Sequence, residues 1–527
     1  MIDLMNTKVV SRETARELDM IARDEYSIPT ILLMENAGKS VAEECLKLAE
    51  EEKLNKFLVV AGSGNNGGDG FCAAKHIKNA GYDIKIALVQ DEEKIKGDAL
   101  QNFIIAKKMG IPVQRIPKIQ ELQKILEDRE IVIDAIFGTG ISRDIEDDFI
   151  ISVINEINLW RQKDIRRKVV SIDIPSGLDS NTGIQRRVSI KADITVTFAP
   201  AKVGLFIGEF DRVGKLKVKD IGIPIDLWRE SKIELVREKK IKEIIRTRHP
   251  LAHKGNFGHL LCVCGGLGRA GAAILVGKSA LRTGVGLVTI MVPEPIYEIV
   301  ASGAKEYMVF PAPAKGRTFS EKSVETFDEL IEGKTAVVIG PGIWTYQDVK
   351  HLLEKVIKRV HERNIPIVID ADALNILSEN PILPDGIRSI ITPHPGEAGR
   401  ILKISSNEVQ KDRIKHAIKL SQITNSICVL KGARTIITDG EDIYINTSGG
   451  VELATGGTGD VLAGMIGGFL AQGYSEIESA LIGTFIHGLA GELAKKANFP
   501  LSLAEQVCEK IQDAISYILS DKNEINT

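Results

Sequence analysis

A glycine-rich stretch directly after an apolar run offers phosphate-binding chemistry. The run Phe57–Ala61 is followed by GSGNNGGDG, in which Gly62, Gly64 and Gly67 form a G-x-G-x-x-G pattern. A strand that leads through such a turn into a helix exposes free backbone N–H groups, which bind phosphate. The pattern predicts a dinucleotide-binding turn, used either for a hydride-transferring cofactor or for another dinucleotide ligand.

Two acidic residues near this stretch bear on that choice. Asp69 stands where a helix is expected to begin, and a carboxylate there would repel a bound pyrophosphate. The alternative interpretation makes Asp69 the N-cap of a helix over Gly70–Ala80. Asp91 lies at the spacing of the acid that binds ribose in dehydrogenases. The loop alone leaves both uses open.

Later strands of the first half also end in polar or glycine-rich sequence. IVIDAIFGTG places Asp134 inside a buried strand, and SIDIPSGLD places Asp173 and Ser176 at a strand end. Open α/β sheets bind ligands at the C-terminal ends of their strands, so these loops are expected to converge. Asn66, Asp134 and Ser176 would then offer oxygen ligands to a hard cation. The alternative for Asp134 is a buried acid bonded to backbone N–H groups.

A second glycine-rich stretch, GGVELATGGTGD at 449–460, precedes an apolar helical pattern. Gly456, Gly457 and Gly459 let the backbone turn its N–H groups toward one point at the helix N-terminus, which predicts an anion hole for a transferring phosphoryl group. Asp460 is placed to take a proton from an attacking hydroxyl. The alternative is a flexible linker with an Asp cap, but glycines this dense are costly unless the backbone needs them.

Other loops of the second half fit around this anion hole. The stretch KGART at Lys431–Thr435 supplies positive charge for nucleotide phosphates. In TPHPGE, Glu397 would help to hold Mg²⁺ and His394 would contact substrate, or both would fix the loop by hydrogen bonds. The stretches Gly265–Gly271 and Gly340–Gly342 allow close backbone approach.

The sequence Gly277-Lys-Ser279 imitates the end of a Walker A loop. Ala272 occupies the position of the required glycine, and Ala270–Leu281 has a helical pattern. The chain is therefore not expected to be a P-loop NTPase.

Both halves alternate short apolar runs with helical patterns, which predicts an α/β fold with mostly parallel sheets covered on both faces. Helices are expected at 31–51 and 70–80. The predicted strands of the first half are 57–61, 84–89, 131–137, 169–174 and 194–198, and those of the second are 259–264, 286–291, 335–339, 365–369, 389–391 and 427–430. A charged stretch at 232–243 separates the halves, and we predict two domains, 1–228 and 229–527.

Composition excludes several classes of protein. The 527 residues fit two to four domains at about 150 residues each. A net charge of -3 indicates neither nucleic-acid nor membrane binding. The six cysteines lack zinc or redox spacing, and Cys262 and Cys264 are expected to be buried strand positions. No secretory signal or membrane span is visible. We expect a reduced, cytoplasmic homo-oligomer.

Four motifs of the first half resemble those of NAD(P)H-hydrate epimerases. They are MENAG at 34–38, NNGGD at 65–69, DAIFGTG at 134–140 and DIPSG at 173–177. The resemblance covers most of residues 1–225. It implies a three-layer Rossmann-like domain that interconverts the two epimers of hydrated NADH and NADPH.

The same resemblance implies site residues. The hydrate would contact two loops and, at the reacting ring, an aspartate: Asn65, Asn66, Gly67, Gly68, Asp69, Gly138, Thr139, Gly140, Ile141, Ser142, Arg143, Asp144 and Asp173. Potassium would be held by Asn66, Asp134 and Ser176. Asp173 would act as acid–base catalyst or only hold a hydroxyl, and Lys202 is a second acid–base candidate unless it is an ordinary exposed lysine.

Motifs of the second half resemble ADP/ATP-dependent NAD(P)H-hydrate dehydratases of the ribokinase-like fold, a second three-layer αβα domain. They match in order over about 235–520: KGNFGH at 254–259, the stretches 265–271, 340–342, 392–397 and 431–435, and ATGGTGD at 454–460. ADP or ATP would be bound by Lys431, Gly432, Ala433, Arg434, Thr435, Gly450, Val451, Glu452, Leu453, Ala454, Thr455, Gly456, Gly457, Thr458 and Gly459. The hydrate would contact Gly266, Gly342, His394 and Asp460, with Asp460 as the base.

Together the resemblances imply a bifunctional repair enzyme that uses K⁺, Mg²⁺ and ADP or ATP. The first domain would epimerise the R hydrate, and the second would dehydrate the S hydrate through a phosphorylated intermediate. Two alternatives stay open on the residues alone. One is a ribokinase-type small-molecule kinase with a ligand-binding regulatory domain, and the other is a first domain that acts only as a binding or scaffold module.

Overall fold

The chain divides into two compact units, Met1–Ile233 and Glu234–Thr527, in a computed structural model that describes residues 5, 7–303, 305–497 and 502–520. The sequence predicts the boundary after residue 228. Both units are built from parallel strands and helices, which confirms the predicted α/β class. Among the described residues, no helix is long and apolar enough to cross a membrane.

The first unit alternates strands with helices. Its strands are β1 (Lys8–Val10), β2 (Lys56–Ala61), β3 (Asp83–Leu88), β4 (Val113–Arg115), β5 (Ile131–Ala135), β6 (Lys168–Ile172), β7 (Ile194–Phe198), β8 (Ala201–Lys202) and β9 (Lys215–Lys219). Its helices are α1 (Arg12–Asp24), α2 (Thr30–Glu52), α3 (Asn65–Asn79), α4 (Gly97–Lys108), α5 (Ile119–Leu126) and α6 (Asp148–Gln162). Short 3₁₀ turns lie at Glu92–Lys94, Val203–Leu205, Phe210–Arg212 and Ile225–Leu227.

Seven of these strands form one parallel sheet in the order β4-β3-β2-β5-β6-β7-β9. The order reverses between β2 and β5, because β3 and β4 lie on one side of β2 and the later strands on the other. A crevice therefore opens at the carboxyl ends of β2 and β5, where doubly wound sheets bind ligands. Apolar side chains cover both faces of the sheet, so the central strands β2, β5 and β6 are almost continuously buried, whereas the edge strands β4 and β9 are partly exposed.

The second unit begins with β10 (Ile233–Val236), which crosses the division. Its further strands are β11 (His259–Val263), β12 (Leu287–Pro293), β13 (Met308–Ala312), β14 (Ala314–Lys315), β15 (Thr318–Phe319), β16 (Ala336–Ile339), β17 (Ile367–Ile369), β18 (Ser389–Ile391), β19 (Ile427–Leu430), β20 (Ile436–Thr438) and β21 (Ile443–Asn446). Its helices are α7 (Glu238–Ile244), α8 (Ala270–Arg282), α9 (Tyr297–Ala301), α10 (Ser323–Leu330), α11 (Gln347–Glu362), α12 (Asp372–Leu377), α13 (Pro395–Leu402), α14 (Ser406–Lys411), α15 (Arg413–Thr424), α16 (Thr458–Ala471), α17 (Glu476–Ala497), α18 (Ala504–Glu509) and α19 (Ile511–Leu519).

The main sheet of this unit runs β13-β12-β11-β16-β17-β18-β19-β20-β21. It is parallel from β13 to β19 and antiparallel from there to β21. Its order reverses between β11 and β16, which creates a second crevice at the carboxyl ends of those strands. The predicted helix over Ala270–Leu281 is α8, so Gly277-Lys-Ser279 lies inside a helix and not in a phosphate loop.

Two predicted strands of the first unit end early. The strand predicted to reach Phe137 ends at Ala135, because Phe137 N leaves the sheet and donates to Ser176 Oγ at 2.9 Å. The strand predicted to reach Ile174 ends at Ile172, because Asp173 has a φ of 62°. A residue in that left-handed region cannot continue a strand. Phe137 and Asp173 therefore lie in loops at the edge of the crevice.

The six cysteines are free and buried. Cys262 lies in β11 and Cys264 follows it, which confirms the prediction that both fill buried positions. Burial raises the pKa of all six thiols.

Helix α16 packs against α8 through glycine. A Cβ placed on Gly464 would lie 2.9 Å from the Val276 Cα and still closer to Ser279 Oγ. Real Cβ atoms do not approach backbone so closely, so the two helices touch only because this side chain is absent.

We expect Gly464→Ala to destabilise the second unit by about 1–3 kcal/mol, the usual cost of overpacking a core. Thermal unfolding followed by circular dichroism should show a lower transition temperature. Gly271→Ala is the matched control, because Gly271 also lies in a helix and a Cβ there has open space around it. Equal transition temperatures for the two variants would contradict this account of the helix contact.

Candidate active sites

The crevice of the first unit holds a cavity of about 860 Å³. Its walls come mainly from α1, α2, α3 and the loops after β2, β5, β6 and β7. Eight of the residues predicted to contact a hydrate line this cavity: Asn65, Asn66, Asp69, Gly138, Thr139, Gly140, Ile141 and Asp173. Ser142, Arg143 and Asp144 lie exposed just beyond this lining. Gly67 and Gly68 lie buried behind it.

The glycine-rich stretch is the start of a helix and not an open loop. Helix α3 begins at Asn65 with Gly64 as its N-cap, five residues before the predicted start at Gly70. The interpretation of Asp69 as an N-cap is therefore wrong, because Asp69 lies inside the helix. The early start is possible because Gly67 packs onto the Gly62 carbonyl, where any side chain would collide. The glycines thus bring helix backbone against the end of β2.

Oxygen atoms converge around Asp134 at the carboxyl end of β5. Its carboxylate accepts hydrogen bonds from Ser176 N at 2.8 Å, Ser176 Oγ at 2.5 Å and Ser171 Oγ at 2.8 Å. Asn66 Nδ2 donates to the Phe137 carbonyl at 2.9 Å, which places Asn66 at the same loop. Burial raises the pKa of Asp134, although its hydrogen bonds act in the opposite direction.

Asp134 can therefore be both a buried acid bonded to backbone N–H groups and a ligand of a cation. Its carboxylate accepts a backbone N–H, as a buried acid must. The same cluster supplies the carboxylate, hydroxyl, carbonyl and amide oxygens that hard cations prefer, from Asp134, Ser176, Phe137 and Asn66. These residues fit a potassium ion by their chemistry.

A buried ion pair borders the cavity beside this cluster. Lys202 Nζ donates to Asp173 Oδ1 at 2.6 Å, and Thr197 Oγ1 donates to the same oxygen at 3.0 Å. Only 7% of Lys202 is exposed, so the interpretation of an exposed surface lysine is wrong. Its position in β8 at the crevice explains the burial, and no sequence pattern indicated its partner.

Two more carboxyl groups share this cavity wall with Asp173. Asp19 comes from α1 and Asp69 from α3. Burial raises the pKa of Asp69, the Asp173 and Asp19 charges raise it further, and Lys202 acts against them. Burial likewise raises the pKa of Asp19. Sequence reasoning missed Asp19, which follows no strand and no glycine-rich motif.

Asp91 does not reach this cavity. It is exposed, and its carboxylate pairs with Arg115 at 3.1 Å and with Lys94 at 3.5 Å. The spacing rule for a ribose-binding acid therefore selects a surface residue here.

In the second unit, three strand-end loops meet at the crevice. Gly265 N donates to the Pro341 carbonyl at 2.8 Å, and a Cβ on Gly266 would lie 2.9 Å from the Gly342 carbonyl. The two glycine-rich loops thus contact each other through backbone. The third loop follows β17, and a Cβ on Gly340 would collide with its Asp370 carbonyl.

Arg269 and Asp372 join these loops by charge. Arg269 Nη1 donates to Asp372 Oδ2 at 2.6 Å, and Trp344 N donates to the same oxygen at 2.7 Å. The Arg269 guanidinium also lies 3.7 Å from the centre of the Trp344 ring, a cation–π contact. Sequence reasoning missed Asp370 and Asp372, although the strand-end rule that identified Asp173 applies equally to the DAD stretch after β17.

Lys431 is the cation at the centre of this crevice. Its Nζ donates to Asp370 Oδ1 at 2.8 Å and lies 3.9 Å from Glu397 Oε2. Thr392 Oγ1 donates to the same Asp370 oxygen at 2.7 Å. A Cβ on Gly459 would lie 3.5 Å from Lys431 Nζ, so the ammonium also lies beside the start of α16.

The helix that carries Asp460 is present as predicted, but it begins inside the second glycine-rich stretch, three residues before the apolar pattern that starts at Val461. Gly457 has a φ of 90° and caps α16, whose first residue is Thr458. The first backbone N–H groups of α16 have no helical acceptor and provide an anion site. Burial raises the pKa of Asp460 to about 7, Asp370 adds to the shift, and Lys431 opposes it.

His394 and Glu397 form a reciprocal cap at the start of α13. His394 Nδ1 accepts a hydrogen bond from Gly396 N at 2.9 Å, and Glu397 Oε2 accepts one from His394 N at 2.8 Å. Both residues thus fix the loop, which was one of the two interpretations. Burial raises the pKa of Glu397 to about 7, while Lys431 lowers it. The capping oxygen Oε2 of Glu397 also lies 3.9 Å from Lys431 Nζ, so the carboxylate that fixes the loop faces the crevice cation as well.

Arg413 supports the KGART loop from inside the protein. Its guanidinium donates to the Leu430 carbonyl at 3.1 Å and contacts the Ala433 carbonyl. Burial lowers the pKa of Arg413 to about 10. Sequence reasoning missed it, because an arginine on a helix is ordinarily a surface residue.

The remaining residues predicted to bind nucleotide lie around these loops. Thr435 and Glu452 are buried, and Thr435 Oγ1 donates to the Gly432 carbonyl at 3.1 Å. Gly450 and Ala454 flank the short 3₁₀ turn Val451–Leu453, in which Val451 is exposed. Thr458 Oγ1 donates to the carbonyls of Leu453 and Thr455 and so closes the stretch.

Among the described residues, one further group of potential metal ligands lies in the first unit, outside the cavity lining. Glu35, Cys72 and His76 place their ligand atoms within 4.8 Å of one another. However, the Lys75 ammonium contacts Glu35 Oε2, and His76 Nε2 lies 2.8 Å from Glu35 Oε1. These contacts account for the group as a polar link between α2 and α3.

Two family models match the chain. Residues 30–204 match the YjeF-related protein N-terminus, and residues 260–513 match NAD(P)H-hydrate dehydratase. Among solved structures, an ADP/ATP-dependent NAD(P)H-hydrate dehydratase from Bacillus subtilis co-crystallized with ATP/Mg²⁺ is 27% identical, with a TM-score of 0.48. That alignment covers 54% of this chain and 98% of the other.

Two relatives match almost the whole chain. A bifunctional NAD(P)H-hydrate repair enzyme from Moorella thermoacetica is 35% identical, and the alignment covers 96% of each chain. The enzyme of the same name from Dictyoglomus turgidum is 34% identical over 98% of this chain and 100% of the relative. Identity at this level over both units shows that the chain belongs to the family of bifunctional NAD(P)H-hydrate repair enzymes.

Proposed function

We propose that the first unit interconverts the R and S epimers of hydrated NADH and NADPH, and that the second dehydrates the S hydrate with ADP or ATP. The observation that carries the proposal is the start of α16. There Asp460, with a pKa of about 7, lies in the same crevice as the Lys431 ammonium and a helix N-terminus bordered by glycine. A base, a cation and an anion site are the parts that phosphoryl transfer to a hydroxyl requires.

In the second unit, Asp460 would take the proton from the ring hydroxyl of the hydrate. Phosphorylation turns that hydroxyl into a good leaving group, and elimination restores the nicotinamide double bond. Gly266, Gly342 and His394 would contact the hydrate. The KGART loop and residues 450–459 would bind the nucleotide. Glu397 would help to hold Mg²⁺, which would neutralise phosphate charge.

In the first unit, the strand order reverses between β2 and β5, and the cavity at the carboxyl ends of these strands would hold the nicotinamide end of the hydrate. Asn65–Asp69 and residues 138–144 would contact it, and Asp173 would lie at the reacting ring. Asn66, Asp134 and Ser176 would hold potassium, which is supported by the oxygen atoms converging there. The ion would supply a fixed positive charge beside the ligand.

We expect the full chain, supplied with a mixture of both hydrate epimers, ADP and Mg²⁺, to restore NADH completely. Absorbance at the NADH band measures recovery, and ATP in place of ADP tests the choice of nucleotide. Recovery that stops near the S fraction would contradict the epimerase assignment. A stable phosphorylated product without NADH would instead favour a small-molecule kinase.

Asp460→Asn should lower dehydration by about 10²–10⁴-fold, the contribution of a general base, and leave epimerisation intact. Dehydration is measured on the S hydrate, and epimerisation by chromatographic separation of the two epimers. Equal loss of both activities would argue against two separate sites.

The dehydration rate should rise with pH through about 7, because only the ionised form of Asp460 accepts a proton. Lys431→Met should move that midpoint to higher pH, since the ammonium lowers the pKa of Asp460, and should weaken ADP binding. Lys350→Met is the matched control, because it removes only an exposed pair with Glu379. An unchanged midpoint in Lys431→Met would refute the proposed role of Asp460.

Asp134→Asn should remove the activation of epimerisation by potassium, because the variant lacks the carboxylate charge at the proposed ion site. Rates in KCl and NaCl are compared, with Ser176→Ala as a second variant and circular dichroism as the check on folding. Undiminished potassium activation in both folded variants would contradict the assignment.

A further inference from the structure

Four carboxyl groups of the described residues line the cavity of the first unit, those of Asp19, Asp69, Asp98 and Asp173, and they differ in their partners. Asp173 accepts hydrogen bonds from the Lys202 ammonium and the Thr197 hydroxyl. The Asp69 carboxyl has no hydrogen-bond or ion-pair partner among the described residues, although it lies half-buried on the cavity wall. A carboxyl group without a donor in such a place favours its protonated form.

Neighbouring charges reinforce this difference. Burial and the negative charges of Asp173 and Asp19 raise the pKa of Asp69 well above its ordinary value, with Lys202 as the opposing charge. Two carboxyl groups in one site with different partners are the usual arrangement of a proton donor and a proton acceptor.

The proposed reaction needs such a pair. In a hydrate, the hydroxyl is on the ring carbon next to the ring nitrogen. Inversion at that carbon follows if the C–O bond breaks and water returns to the other face. The departing oxygen then needs a proton, and the returning water must lose one.

We propose that Asp69 is the general acid of epimerisation and Asp173 the matching base, an inference that rests on the epimerase function proposed above. Asp69 gives its proton to the hydroxyl, the C–O bond breaks, and water leaves with the bonding electrons. The nitrogen lone pair forms a C=N bond to the ring carbon. Water then adds to the opposite face, its oxygen forms the new C–O bond, the C=N electrons return to nitrogen, and Asp173 takes the released proton. The carboxyl groups exchange protons with solvent before the next turnover.

The position of Asp69 suits this role. It lies on helix α3, which is held against the sheet by close glycine contacts, so its backbone is rigid. A Cβ on Gly70 would lie 2.7 Å from Ala135 Cβ, and one on Gly68 would lie 2.7 Å from Met34 Sδ. Asp69 is thus flanked by two residues that bind the helix to its neighbours, which fixes the carboxyl at the cavity.

Asp69→Asn in the full chain tests the assignment. After subtraction of the spontaneous rate, we expect kcat for epimerisation to fall by about 10²–10⁴-fold. We expect the hydrate affinity of the first unit to change less than about threefold, because the amide keeps the shape of the carboxyl. It is measured in the full chain from the rise in the unfolding temperature of that unit when hydrate is added. ADP-dependent dehydration of the S hydrate should persist. Asp91→Asn, which removes an exposed carboxylate outside the cavity, is the matched control.

Two further readouts separate proton donation from a structural role. Wild-type epimerisation should fall at high pH as Asp69 ionises beside Asp19, Asp173 and Lys202, and the residual activity of Asp69→Asn should lack that limb. Epimerisation in H₂¹⁸O should place one ¹⁸O atom on the inverted carbon.

The outcomes distinguish the inference from the function beneath it. A wild-type chain without epimerase activity would overturn the proposed function. If the wild type is active, three results would overturn the assignment of Asp69 alone. They are an equally active Asp69→Asn variant, an Asp69→Asn variant that has lost hydrate binding, and epimerisation without ¹⁸O incorporation.

Discussion

In each unit, one lysine ammonium faces more carboxyl groups than it neutralises. Lys202 pairs with Asp173 beside Asp19 and Asp69, and Lys431 pairs with Asp370 beside Glu397 and Asp460. Removing charge from water is expensive, so the surplus carboxyl groups hold their protons more tightly than free acids do. The sheets make this possible, because parallel strands all end at one edge and bring their polar residues together there.

Glycine sets how closely the backbone approaches that edge. Helix α3 begins in contact with the end of β2 because Gly67 has no side chain where it meets the Gly62 carbonyl, and α16 begins beside Lys431, whose ammonium lies 3.5 Å from the Cβ position of Gly459. The free N–H groups of these helix starts therefore lie in the crevices. The glycine pattern is a packing requirement first, and an anion site follows from it.

Much of this arrangement could be predicted from the sequence, because buried parallel strands read as apolar runs and their ends as polar loops. Most of the parallel strands, the strand-end residues Asp134 and Asp173, and the helix that carries Asp460 were predicted in this way. Contacts between residues that are distant in sequence could not be predicted, since Lys202 and Arg413 look like ordinary surface residues until their partners are known. The cap alternative for Asp69 is wrong because glycines are usual in loops, whereas here the helix already begins at Asn65.

The burial of all six cysteines has a practical consequence. The thiolate is the reactive form of cysteine, and burial raises the pKa of every native thiol. The folded chain thus resists alkylation and oxidation under conditions that damage exposed thiols. A single cysteine introduced on the surface would be the one site that accepts a thiol-reactive dye, so each unit is open to site-specific fluorescence labelling without removal of any native residue.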